Sequence, residues 1–274
     1  MVRIIDMECS VPRGEGETSP APTGTTGGGG AGQPAAYGMG NYGRIFRSRR
    51  EGADHRPGID LDAYVDMLAK LGIVRSVPFG ITNEETAALL RRYPDRFLGL
   101  ARISVNAFKG MSGVRELERL VRDEGFHALG VSALVDCLPA SDRRFYPLYT
   151  KAAELGIPVR IYSSMNYAND RPYDLGHPRH LDQIAMDFPE LKIIGGLGGW
   201  PWVNEMVALV RRHPNLHVDT SAHRAKYLGQ AGSGWEMLIQ FGNTLIQEYL
   251  GLPLKDTVKE KWLYGNAARV FGLE

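Results

Sequence analysis

The sequence is poor in cysteine: Cys9 and Cys137 are the two thiols in 274 residues. Two thiols make no disulfide framework, so a small cross-linked secreted scaffold is excluded and a cytoplasmic location is expected. Charge of one sign is also missing, since 32 Lys and Arg face 31 Asp and Glu for a net charge of +1. That removes the electrostatic footprint of a nucleic-acid or membrane-surface partner. No apolar run reaches the roughly 18 residues of a transmembrane helix. No basic stretch followed by an apolar one marks a signal peptide. The glycine-rich stretch GTTGGGGAG has no following Gly-Lys-Ser/Thr, so it is not a phosphate loop. Ser10 and Cys9 lack a Ser-His-Asp or Cys-His setting, so no nucleophile is assigned.

What the chain does have is 43% hydrophobic and 23% charged residues, the balance of a soluble globular protein. Residues 13–58 stand apart, because they are rich in Gly, Pro, Ser and Thr and nearly lack aliphatic side chains. Such a segment buries too little apolar surface to offset the entropy of ordering. It reads as an inserted flexible loop or as a lid, since long loops in compact domains are often functional. Its tail carries Arg44, Arg47, Arg49 and Arg50. These either grip an anionic substrate or form a solvated face.

Beyond this segment the chain alternates. IDLDAYVDMLAKLG (59–72) has helical apolar spacing, IVRSVPFG reads as a strand, and NEETAALLRRYPDRF is a helix that starts on an Asn cap. LGLARIS, HALGVSAL, IPVRIYSS, LKIIGG and NLHVDTS read as further strands, with amphipathic helices between them. Together with the opening VRIIDMECS, this makes seven strands. Strands apolar on both faces, separated by helices, predict a parallel sheet covered by helices. Their number predicts a TIM-type (β/α)8 barrel formed by one domain over residues 1–274. An eighth strand should lie near 246–253, yet IQEYLGLPL is a poor one, so the barrel is expected to be incomplete or irregular there.

The fragments IIDMECSVP, PLYTKAAELGIPVRIYSS, HPRHLDQIAMDFPELKIIGGLGGWPW, NLHVDTSA and KEKWLYGNAARVFGL resemble the amidohydrolase superfamily. The likeness is to its amidohydrolase-related branch of aminocarboxymuconate-semialdehyde and resorcylate-type decarboxylases. That resemblance implies one divalent metal. Its ligands would be His-x-His or Glu-x-His at strand one, His at strand five and Asp at strand eight, with an assisting His after strand six. Here strand one offers Glu8 and Ser10, strand five offers Tyr162, and strand six offers Gly196 or Leu197. The segment that would carry the Asp is missing before EYLGLPLKDTVKEKW. A tightly held metal needs three or four converging donors. No resident metal is therefore expected, and zinc or manganese remains the alternative if His177, His180 and His223 rearrange around Glu8.

Active sites of such barrels form at the C-terminal ends of the strands. Glu8, Tyr162, His223 and Asp219 are the catalytic candidates. Glu8 is either an acid–base group or a structural carboxylate. Asp219 either orients His223 or caps the next segment, and His223 is either an acid–base group or a surface residue. Arg160, Ser10, Tyr167, Arg171, His177 and Trp200 are the substrate-binding candidates. Arg160 shares a face of strand five with Tyr162 and requires a counter-ion, either Glu8 or a substrate carboxylate. Trp200 is either a pocket wall or core.

Three functions remain open. The first is a metal-independent lyase that decarboxylates, hydrates or dehydrates a small carboxylated, cyclic or aromatic substrate. The second is a non-catalytic pseudoenzyme or binding protein on the same fold. The third is a metal-dependent hydrolase or decarboxylase with rearranged ligands. A small-molecule partner and a homo-oligomer, as a homodimer, are expected. Trp235, Leu238, Phe241 and Trp262 are the candidate contact surface, with core packing as the alternative.

Overall fold

The computed structural model describes residues 3–12, 37–38, 41, 60–223, 232, 234–235 and 256–273, without the Trp262 side chain. Seven strands lie among these residues: β1 Ile4–Ser10, β2 Ile73–Phe79, β3 Leu100–Arg102, β4 Ala128–Val131, β5 Val159–Tyr162, β6 Ile193–Gly196 and β7 Leu216–Val218. Every ladder is parallel and joins sequence neighbours, β1 with β2 and then β3 through β7 in order. A parallel bridge between Ser76 and Phe97 carries the pairing from β2 towards β3. Neighbour-to-neighbour parallel order is the wall of a TIM-type barrel; a doubly wound sheet reverses its order at a switch point. The expected eighth strand near 246–253, Leu238 and Phe241, and nearly all of 13–58 lie outside the described residues.

The helices follow the strands: α1 Leu61–Lys70, α2 Asn83–Arg92, α3 Met111–Arg122, α4 Ala133–Asp136, α5 Tyr146–Glu154, α6 Arg179–Asp187 and α7 Val203–Arg212. A last helical stretch runs from Asp256 to Phe271, with a π turn over Lys261–Gly265. No helix among the described residues is long and apolar enough to cross a membrane.

Two local readings are corrected. The cap of α2 is Thr82, in a reciprocal capping box with Glu85: Thr82 Oγ1 accepts the Glu85 N–H, and the Glu85 carboxylate accepts the Thr82 N–H. Asn83 is the first helical residue, and its amide instead clamps the end of β3, donating to Arg102 O at 2.9 Å and accepting from Arg102 N at 3.0 Å. The strand read in HALGVSAL stops at Val131, and Ala133–Asp136 turns helical on N–H bonds from Val135 and Asp136 to Ser132 O.

Alternation along the strands builds two apolar layers. Ala101, Leu129, Val159, Ile161, Ile193 and Leu216 pack with Leu117, Leu120, Leu148, Leu181, Ile184 and Met206 of the helices. Ile5, Val77, Leu98, Leu100 and Ala128 form an inner cluster, joined by Ala268 of the last helix. The β1–β2 register slips between Asp6 and Cys9. Such a bulge re-aims side chains along a strand. Cys9 is buried in the outer layer, while Glu8 reaches Arg160 on β5.

Candidate active site

β1, β5 and the residue following β7 bring Glu8, Arg160 and Asp219 together. Arg160 Nη2 donates to Glu8 Oε2 at 2.9 Å. Its Nε and Nη2 donate to the two Asp219 oxygens at 2.7 Å and 3.1 Å, a bidentate grip. Asp219 Oδ1 also accepts the N–H groups of Leu197 at 3.2 Å and Ser221 at 3.1 Å. Side-chain exposure is 18% for Glu8, 11% for Arg160 and 7% for Asp219, so little solvent screens these charges. Gly196 on β6 makes the arrangement possible, because a Cβ there would lie 3.3 Å from Arg160 Cζ and Nη2.

The two carboxyls differ in acidity. Burial lifts Glu8 above its ordinary 4.5, and the pull of Arg160 does not fully offset this. Burial pushes Asp219 the same way, but Arg160 and the two N–H donors hold it below 3.8. Burial opposes the charge on Arg160, yet Asp219 and Glu8 keep it firmly cationic. The surroundings thus push the two carboxyls in opposite directions, Glu8 up and Asp219 down. Asp6, whose side chain accepts the Glu8 N–H at 3.1 Å, is raised by burial as well.

The other predicted residues spread over the same end of the strands. Tyr162 donates its hydroxyl to Met165 O at 3.0 Å. His223 Nε2 donates to Leu197 O at 3.1 Å, and its ring lies 4.5 Å from Trp235. Asp219 caps the turn after β7 through the Ser221 N–H. Trp200 stacks on Trp235 with centroids 5.7 Å apart. Trp235 is 5% exposed and packs on these rings, which removes it from the expected oligomer surface. Ser10 is exposed at the end of β1. Tyr167 is half-buried, and its carbonyl accepts from Asn41 at 2.7 Å. Arg171 grips its neighbour Asp170 at 2.7 and 2.8 Å and donates to Leu134 O. His177 lies 3.5 Å from Glu205 and packs on Trp202 at 4.4 Å, while His180 bonds Ser141.

Two residues at this end went unread in the sequence. Arg102 closes β3, and Phe79, 51% exposed, closes β2. Their only signal was position, the last residue of a strand in a barrel that works at its strand ends.

Among the described residues the donors for a metal do not fit. Glu8 is engaged by Arg160, and neither Tyr162 at the end of β5 nor Gly196 or Leu197 at the end of β6 offers an imidazole. Among the described residues no group of three His, Cys, Asp or Glu converges as a metal site needs. His177 and His180 turn to Glu205 and Ser141 rather than to Glu8.

The profile of the amidohydrolase family matches residues 45–241. The fold is similar to that of an uncharacterised TIM-barrel protein of Bordetella bronchiseptica, 22% identical over 99% of both chains with a TM-score of 0.68. It is similar to 5-carboxyvanillate decarboxylase of Novosphingobium aromaticivorans, solved with manganese and 4-hydroxy-3-methoxy-5-nitrobenzoic acid. That chain is 13% identical, over 99% of this chain and 96% of the other, with a TM-score of 0.61. It is also similar to 4-oxalomesaconate hydratase of Rhodopseudomonas palustris, 18% identical over 98% and 95% of the two chains, with a TM-score of 0.56.

Proposed function

Since the chain belongs to the amidohydrolase family, we propose that it is a lyase of that fold working without a tightly bound metal. Its substrate is a small carboxylated, cyclic or aromatic molecule, and the reaction is decarboxylation or hydration and dehydration. One observation carries this reading: Arg160 lies between Glu8 and Asp219, a fixed cation among the carboxylates, and leaves Glu8 the weaker acid of the two. The solved decarboxylase and hydratase of the same fold are named for carboxylated substrates, which supports the substrate class.

In the decarboxylation form, Glu8 in its acid state gives a proton to the ring carbon that bears the carboxylate. The bond from that carbon to the carboxylate breaks, its electron pair returns to the ring, and carbon dioxide leaves. Glu8 then takes a proton from water, so each turnover consumes one proton. Arg160 holds positive charge ready in a poorly solvated site, where it acts most strongly on developing negative charge. Tyr162 and His223 are the further acid–base groups, each already oriented as a donor by a backbone carbonyl.

The test is Glu8→Gln assayed against a panel of hydroxybenzoates and unsaturated dicarboxylates. The variant should keep ligand binding and lose about 10²- to 10⁴-fold in kcat, the usual range for a positioned acid. Turnover unchanged in the variant would remove Glu8 from the chemistry. The second reading, a non-catalytic binding protein, is favoured by how completely Arg160 is satisfied within the fold. Ligand binding without turnover in the wild-type protein would select it. Cytoplasmic residence and a homodimer belong to the same proposal. The free thiols Cys9 and Cys137 support the first, and light scattering checks the second.

A further inference from the structure

The predicted substrate arginines among the described residues are already taken. Arg160 is held by Glu8 and Asp219, and Arg171 by Asp170. Arg102 differs, since among the described residues no carboxylate lies within ion-pair distance of it. Its guanidinium meets backbone carbonyls, with Nη2 donating to Pro78 O at 2.7 Å and Nη1 reaching Ile81 O at 3.5 Å. Its own backbone is clamped on both sides by Asn83, so the side chain starts from a fixed base.

Its neighbours have the matching chemistry. Arg102 pairs in register with Gly130, and Gly130 with Arg160. Register partners in a parallel sheet present their side chains on one face, so both arginines face the same side of the strands. The Phe79 ring centroid lies 6.0 Å from Arg102 Cζ. Phe79 is in register with Ser10, whose side chain is exposed. Ser10, Phe79 and Arg102 therefore form an arc across the ends of β1, β2 and β3, with Glu8 beside it on β1. An exposed aromatic face between a hydroxyl and a cation suits a flat ring bearing an anionic group.

We propose that Arg102 binds the carboxylate of the substrate, with the ring lying on Phe79 and Ser10 at its edge, so that the substrate's reacting carbon faces Glu8. This deepens the lyase reading and rests on it for the last clause alone. Burial and the charge of Arg160 push the Arg102 guanidinium down to about 10, and the more distant charge of Glu8 offsets this only in part. A bidentate carboxylate on the guanidinium itself supplies the direct counter-charge that Glu8 does not.

The experiment is calorimetric titration of the full chain with 4-hydroxybenzoate and with its uncharged analogue 4-hydroxybenzamide. Wild-type protein should bind the carboxylate at least about tenfold more tightly, the fold-change of a charge-assisted contact. Arg102→Met should lose that preference, Arg102→Lys should recover part of it, and Phe79→Ala should weaken both ligands alike. The preference between the two ligands is a readout that a purely structural role of Arg102 would not move. An unaltered preference in Arg102→Met, or no preference in the wild type, would overturn the proposal. Arg102-dependent binding together with no turnover in the wild type would retain the subsite and defeat the lyase reading alone.

Discussion

At the residue scale the site treats two carboxyls differently. Glu8 is raised and Asp219 depressed, although both touch the same guanidinium. If Glu8 works as an acid, kcat should be level at low pH and fall as pH rises through a value above 4.5, the ordinary one for its side chain. The pH–rate profile of Glu8→Gln should lack that limb. A limb that survives in the variant belongs to another group. Asp219→Asn leaves Arg160 without its main counter-charge in a poorly solvated place. Breaking a buried pair this way costs about 3–5 kcal/mol, read as a lower urea midpoint. Because Asp219 is depressed, its contribution is present at neutral pH and is lost only as pH falls below 3.8. Glu8 and Asp219 were both legible in the sequence as acids at strand ends. The pairing of Asp219 with Arg160 was not, because a contact across 59 positions depends on the curvature of the wall.

At the element scale the strands were legible because their apolar runs are bounded by polar strand ends and glycines. The cap of α2 was misread by one residue, since Thr82 and Asn83 both belong to cap-forming types and only geometry separates them. The turn after β6 shows how tightly the elements meet at the site. Gly198 has φ of 63°, and a Cβ there would run into the Trp235 ring. Gly198→Ala should therefore destabilise by about 1–3 kcal/mol through backbone strain and overpacking. It should also alter the near-UV dichroism of the Trp200–Trp235 pair. An unchanged melting curve and spectrum would show that this packing is not constrained as described. Phe79 and Arg102 escaped notice at this scale because an exposed aromatic and a strand-end arginine carry no periodic signature.

At the scale of the whole molecule, the barrel was legible from repetition alone: seven apolar segments of similar length with helices between them. Residues 13–58 were set apart by composition and 246–253 as a poor eighth strand, and both fall largely outside the described residues. Acid sensitivity belongs to this scale. Burial, with Arg75 nearby, holds His127 down to about 4 from 6.5. Burial, with Arg179 and His177, does the same to His180, also to about 4. A histidine depressed in the folded state favours folding while neutral. Its contribution is complete above 6.5 and is lost as pH falls towards 4. Tm should decline across that window, and His127→Asn with His180→Asn should flatten the decline. Equal slopes for wild type and double variant would assign the acid sensitivity elsewhere.

In the proposed lyase, Arg160 provides the site's fixed positive charge in place of a metal. Elemental analysis tests it most directly, on protein purified without chelator and again after dialysis against excess zinc or manganese. Neither sample should hold stoichiometric metal. Close to one metal per chain, lost in Glu8→Gln, would contradict it and would put Glu8 among metal ligands instead of beside Arg160.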